Sequence, residues 1–177
     1  GYGNVNAWKS LQSLRNLQYV SGTISNGQIN DHVINIPDNA QNLKVTLVWT
    51  DPAANIGDFK ALVNDLDLRL DDGTSETLPW VLDSSPTISS LSSIAVRGVD
   101  TLNNVEQVTI ENPENTYTIK VEASSSISDQ EYYVTWQYDL ENWFEWDYPT
   151  GSDNMPYNGE TGSYFRWSTT CLLYTSP

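Results

Sequence analysis

The residues best suited to chemistry in this sequence are acidic. Asp51, Asp58, Asp65, Asp67, Asp71 and Asp72 fall within one stretch, with Asn64 among them. Hard oxygen ligands on loops at the ends of a sheet are what calcium requires, and concentrated negative charge raises its affinity. On this reading Asp51, Asp65 and Asp67 are the candidate calcium ligands, and Asp65 and Asp67 share one face of a strand. No Asp-x-Asp-x-Asp-Gly loop is present, so the stretch is not an EF-hand. A set of solvated or hairpin-capping carboxylates is the competing reading.

The rest of the catalytic inventory is thin. His32 is the sole histidine; it shares parity with the polar Asn30, opposite Val33, which predicts a solvated strand histidine rather than a general base, with no nucleophile motif nearby. Gly73-Thr74-Ser75 supplies a serine after Gly-Thr, as a serine-protease nucleophile turn does. A nucleophile of that kind should open a buried helix, whereas Glu76-Thr77-Leu78-Pro79 continue a hairpin, so a turn is expected. Trp80, Trp143, Trp146 and Trp167 could offer a sugar-binding platform; core or interdomain packing is the competing use. Trp49 and Trp136 lie in apolar strands and are expected in the core.

The elements that would position these residues are mostly strands. Val5, Trp8, Leu11, Leu14 and Leu17 recur every third residue, which predicts a short amphipathic helix capped near Asn4 or Asn6 and ending before Tyr19. Beyond it, short alternating runs are punctuated by Gly22, Asn26, Gly27 and Pro37. The run 43–49 is the strongest strand, with Leu43, Val45, Leu47 and Trp49 on one face, and is expected in the centre of a sheet. Leu66-Asp67-Leu68-Arg69-Leu70 precedes the turn Asp71-Asp72-Gly73 and a hairpin through Thr77. After a Ser-rich loop over 83–93, strands are expected at 105–110, 117–123 and 131–136, with no helix between 19 and 138. The pattern predicts an all-β antiparallel sandwich or jelly roll of about 120 residues.

Composition sets the outer bounds. The chain has 177 residues, 23 acidic against 8 basic, and a formal charge of -15. So acidic a surface repels phosphate backbones and anionic membranes, and no nucleic-acid partner is expected. Aromatic residues make up 11%, too rich for a disordered acidic tail. No apolar run approaches the roughly 20 residues that span a bilayer, so no membrane insertion is expected. The absence of an initiator Met and of a signal peptide leads us to expect that the chain begins inside a longer protein. One cysteine, Cys171, precludes an internal disulfide.

Three blocks and a helix carry a family resemblance. Gly1-Tyr2-Gly3-Asn4-Val5-Asn6-Ala7-Trp8-Lys9-Ser10-Leu11 resembles the closing helix of the catalytic domain of subtilisin-like serine proteases, with Asn4 where Arg is common. Leu43-Lys44-Val45-Thr46-Leu47-Val48-Trp49-Thr50-Asp51-Pro52, Leu62-Val63-Asn64-Asp65-Leu66-Asp67-Leu68 and Asn103-Asn104-Val105-Glu106-Gln107-Val108 resemble, in that order, the C-terminal β-domain behind the catalytic domain in a secreted bacterial branch. That domain is related in shape to the P domain of proprotein convertases.

The resemblance implies a non-catalytic C-terminal sandwich of a secreted endopeptidase. The Asp, His, Ser triad of such enzymes would precede Gly1, so no catalytic residue is expected here and the isolated chain should be inactive. The sandwich would pack on the catalytic domain of the same full-length chain, stabilise or position it, and carry calcium. The expected division is residues 1–18 for the closing helix, 19–138 for the sandwich, 139–170 for the start of a truncated immunoglobulin-like module, and 171–177 for a non-native tail that resembles translated sequencing adapter. A carbohydrate- or surface-binding module and an adhesin-type segment with further sandwiches downstream are the alternatives. Severed from its catalytic domain, the helix is expected either to be loosely packed or to dock on the sandwich through Val5, Trp8 and Leu11.

Overall fold

The computed structural model describes residues 5–124, 129–144 and 165–167. Ten strands make the body: β1 (Tyr19–Ile24), β2 (Ile29–Asn35), β3 (Ala40–Trp49), β4 (Leu66–Asp71), β5 (Glu76–Thr77), β6 (Trp80–Val81), β7 (Val96–Arg97), β8 (Val105–Ile110), β9 (Thr116–Ala123) and β10 (Gln130–Leu140). They form two four-stranded antiparallel sheets, ordered β1-β10-β3-β8 and β2-β9-β4-β5, with a β6-β7 ribbon beside them. This is the expected antiparallel sandwich. A short pair, β11 (Asn142–Phe144) with β12 (Phe165–Trp167), follows in sequence. Trp146 and Cys171 lie outside the described residues, as do the side chains of Trp143 and Trp167.

Alternation along the strands builds the core. Leu43, Val45, Leu47 and Trp49 of the central strand β3 are all buried, and Val134 and Tyr132 of β10 lie beside them. Leu66, Leu68 and Leu70 of β4 meet Ile119 and Val121 of β9 on the facing sheet. Each of these side chains contributes about 1.5–3 kcal/mol by leaving water. Trp136 packs against the cluster, as its strand position predicted.

His32 departs from the expectation. Its strand is pinned by Ile34 and Ile36, both buried, and that same parity turns Asn30 and His32 inward while Val33 faces solvent. The polar residues were expected outside; the hydroxyl of the buried Tyr132 takes them inside, with His32 Nε2 2.8 Å away and Asn30 Nδ2 at 3.0 Å.

Two helical segments complete the structure. α1 (Ala7–Arg15) begins where Asn6 Oδ1 accepts the Lys9 amide at 3.0 Å, a cap that satisfies one of the free amides of the first turn. Leu17, with φ of 54°, turns the chain into β1. The helix does not dock through its apolar face: Trp8 is 62% exposed and Leu11 47%, and Val5 is also exposed. Its polar edge makes the attachment, through Lys9 Nζ to Asp139 at 2.9 Å. α2 (Ile88–Leu91) lies in the stretch expected to be only loop; Thr87 Oγ1 accepts the Ser90 amide and caps this single turn.

Candidate functional site: the acidic edge of the second sheet

The acidic stretch runs from the end of β3 to the β4–β5 turn, and its carboxylates divide by what they hold. Asp51 follows the strand Ala40–Trp49, and its two oxygens accept the amides of Val63 and Asn64, both at 2.8 Å. It therefore closes the loop 52–62 from both ends. Asn64, buried behind it, donates from Nδ2 to Gln130 Oε1 at 2.8 Å, and its carbonyl accepts Trp49 Nε1 at 3.0 Å. Gln130 in turn donates to the Thr50 carbonyl. This network fastens the loop to β10 and leaves Asn64 and Gln130 paired in the interior, where an unpaired amide would be costly. Within the loop, Asp58 accepts the Asn55 amide at 2.8 Å around Gly57, whose φ of 95° suits glycine.

Asp71 and Asp72 are spent on the hairpin. Asp72 accepts the amides of Thr74 and Ser75 and both their hydroxyls, which holds its carboxyl far below the ordinary range. Ser75 is thus a turn residue, as the hairpin reading expected. Asp71 pairs with Lys120 at 2.7 Å, and Lys120 also reaches Glu76 at 2.8 Å; that lysine bond is the main reason both carboxyls sit below their usual values. Arg69 pairs with Glu122 at 2.9 Å beside them.

Asp65 and Asp67 differ from the rest. Asp65 Oδ2 pairs with Lys60 at 2.9 Å and Asp67 Oδ2 accepts the Ser124 hydroxyl at 3.0 Å, but each carboxyl keeps one buried oxygen, Oδ1, with no hydrogen-bond partner. Asp67 is 7% exposed. Burial pushes its carboxyl above the ordinary value, Asp65 adds to the rise, and Ser124 opposes it.

A fourth carboxyl, Glu106, was not among the sequence candidates. It is 1% exposed, its Oε2 accepts the Leu68 amide at 2.7 Å, and its Oε1 has no partner. Burial chiefly, then Asp67, Asp100 and Asp65, push it up to about 9, against the pull of the Leu68 amide. The signal was in the alternation: Glu106 shares the face of β8 on which Val108 is fully buried.

The free oxygens of Asp65 and Asp67 are of the hard type that calcium takes. Asp51 differs from them in that each of its oxygens accepts a backbone amide, from Val63 and from Asn64. Among the described residues, no group of three or more His, Cys, Asp or Glu side chains is arranged to hold a metal ion. The three sequence candidates are therefore not gathered into one cradle. Trp80 does not present a free platform either: it is 40% exposed, the Arg97 guanidinium lies 3.8 Å over its ring, and its Nε1 donates to Thr109 Oγ1 at 2.7 Å. His32 Nε2 is engaged by the Tyr132 hydroxyl at 2.8 Å. Among the described residues, no helix is long and apolar enough to cross a membrane.

The chain is 30% identical over 132 residues, 68% of its length, to the serine protease/ABC transporter B family protein tagA of Dictyostelium discoideum. It spans 7% of the length of that protein. No protein-family model matches the chain.

Proposed function

We propose that this chain is the non-catalytic C-terminal β-sandwich of a secreted subtilisin-like serine endopeptidase, carried behind the closing helix of the catalytic domain and serving to stabilise or position it. The observation that carries the reading is α1. It is an amphipathic helix whose Trp8 and Leu11 are largely exposed while its polar edge is tied to the sandwich through Lys9 and Asp139. A face of that kind is built for a core, and the core it fits is the missing catalytic domain. Similarity to a protein named as a serine protease supports the same reading.

Calcium belongs to the proposal through Asp65 and Asp67. Their free oxygens would serve as ligands, with Asp51 shaping the loop beside them. A bound ion would fasten the loop to the strand Leu66–Asp71 and so add stability by mass action. Thermal unfolding in excess calcium against chelator tests this part, with a rise of several degrees expected and no shift overturning the calcium assignment.

The reading as a whole is tested on the open reading frame extended upstream of Gly1. It should encode an Asp, His, Ser triad, and the extended protein should hydrolyse casein while the present chain does not. An upstream sequence without such a triad would overturn it.

A further inference from the structure

Tyr132 is fully buried, and its hydroxyl stands where the two sheets meet at the β1–β2 edge. Three groups converge on it. Asn30 Nδ2 lies 3.0 Å from the hydroxyl oxygen and 3.1 Å from the Thr23 carbonyl; His32 Nε2 lies 2.8 Å away, its ring edge-on to the phenol. Gly22 of β1 lies so close that a β-carbon there would fall 2.5 Å from the oxygen. No other residue type fits at 22 without moving the ring.

Hydrogen-bond accounting fixes the direction of each bond. The Thr23 carbonyl can only accept, so the Asn30 amide nitrogen is the atom facing it, and the second proton of that nitrogen goes to the Tyr132 oxygen. The phenol proton then has one acceptor, the lone pair of His32 Nε2. That requires a neutral imidazole with its proton on Nδ1. Adding a proton at Nε2 would aim a second donor at the phenol oxygen and leave the phenol proton without an acceptor, in a place water does not reach.

We propose that His32, Tyr132 and Asn30 form an acid-sensitive latch between the sheets, closed while His32 is the neutral Nδ1–H tautomer and opened when it is protonated. The latch joins β2 of one sheet to β10 of the other, and its opening loosens the β1–β2 edge. The surroundings favour the neutral ring: burial holds His32 below the usual imidazole range, and the neighbouring Asp31 works against this more weakly. Other elements supply little charge. On β9 the register partner of His32 is Ile119, with Lys120 opposite Asp31; β1 offers Gly22, Thr23 and Ile24; on β10 Tyr132 is itself kept protonated by burial.

Because His32 is the sole histidine, its ring nitrogens can be read by 15N NMR on the whole chain without assignment. At pH 7.5 the spectrum should show the neutral Nδ1–H tautomer, and the titration midpoint should fall below about 6.5, the free imidazole value. An Nε2–H tautomer, or a midpoint at or above that value, overturns the latch. A second measurement compares melting temperatures of the native chain and His32→Gln at pH 7.5 and 5. Carboxyls titrate in both proteins and cancel, so the native chain should lose a few degrees more; equal losses would also overturn it. Tyr132→Phe should return the His32 midpoint toward the free value.

Discussion

The Glu106 carboxyl accepts the Leu68 amide at 2.7 Å across the seam between the two sheets. β4 pairs with β9 on one side, and on the other meets β5 only at Leu70 and Asp71. Glu106 therefore takes the place of a neighbouring strand for an amide that would otherwise be buried without an acceptor. Glu106→Ala should cost about 1–3 kcal/mol in urea unfolding, the penalty of leaving that donor unmet.

The same residue predicts an alkaline weakness. Its folded-state value, about 9, lies above the ordinary 4.5, so the protonated form is favoured by folding. That contribution is complete below the ordinary value and is lost as pH rises through the folded value. Stability in calcium-free buffer should fall between neutrality and pH 9, and Glu106→Gln should flatten the decline. A native profile as flat as that of the variant would contradict the assignment.

Gly22 predicts a steric coupling. Its backbone is not in the left-handed region, so alanine is excluded by Tyr132 and not by φ. Gly22→Ala should destabilise by about 1–3 kcal/mol, as overpacking does. In a double-mutant cycle Tyr132→Phe should recover part of that loss, since it deletes the nearest atom.

Asp51 is predicted to act as a loop clasp. Asp51→Ala removes the acceptor of two amides, so a loss of about 1–2 kcal/mol is expected, in the range of a helix N-cap deletion. Hydrogen exchange should quicken at Val63 and Asn64 more than in β3. Uniform exchange across both would refute a local clasp.

Helix α1 gives the opposite prediction. Trp8→Asp and Leu11→Asp should change the stability of the present chain by no more than about 0.5 kcal/mol, because neither side chain is packed. Lys9→Ala should cost at most about 1 kcal/mol, the usual range for an exposed ion pair.

Much of this architecture was legible in the sequence. Strict alternation at Leu43, Val45, Leu47 and Trp49 marked a central strand, and Asp71-Asp72-Gly73 marked the β4–β5 hairpin, because period and turn chemistry are local. Partnerships made across the sandwich were less legible. His32 looked solvated because Asn30 shared its parity; the buried Ile34 and Ile36 of that same parity turn both inward, where the Tyr132 hydroxyl on the other sheet meets them. Glu106 was hidden for the converse reason, a charge in an apolar position whose acceptor role depends on the bare edge of β4. Asp51, Asp65 and Asp67 were grouped by proximity in sequence, yet Asp51 spends both oxygens on backbone amides while the other two keep one free.

The central claim is that this sandwich and its leading helix serve a catalytic domain. Its most direct test is the thermal inactivation half-life of the peptidase encoded by the full reading frame, intact, with Trp8→Asp and Leu11→Asp together, and with residues 19–138 deleted. We predict a half-life shortened severalfold by the paired substitutions and further by the deletion. A half-life unchanged in both variants would contradict the account.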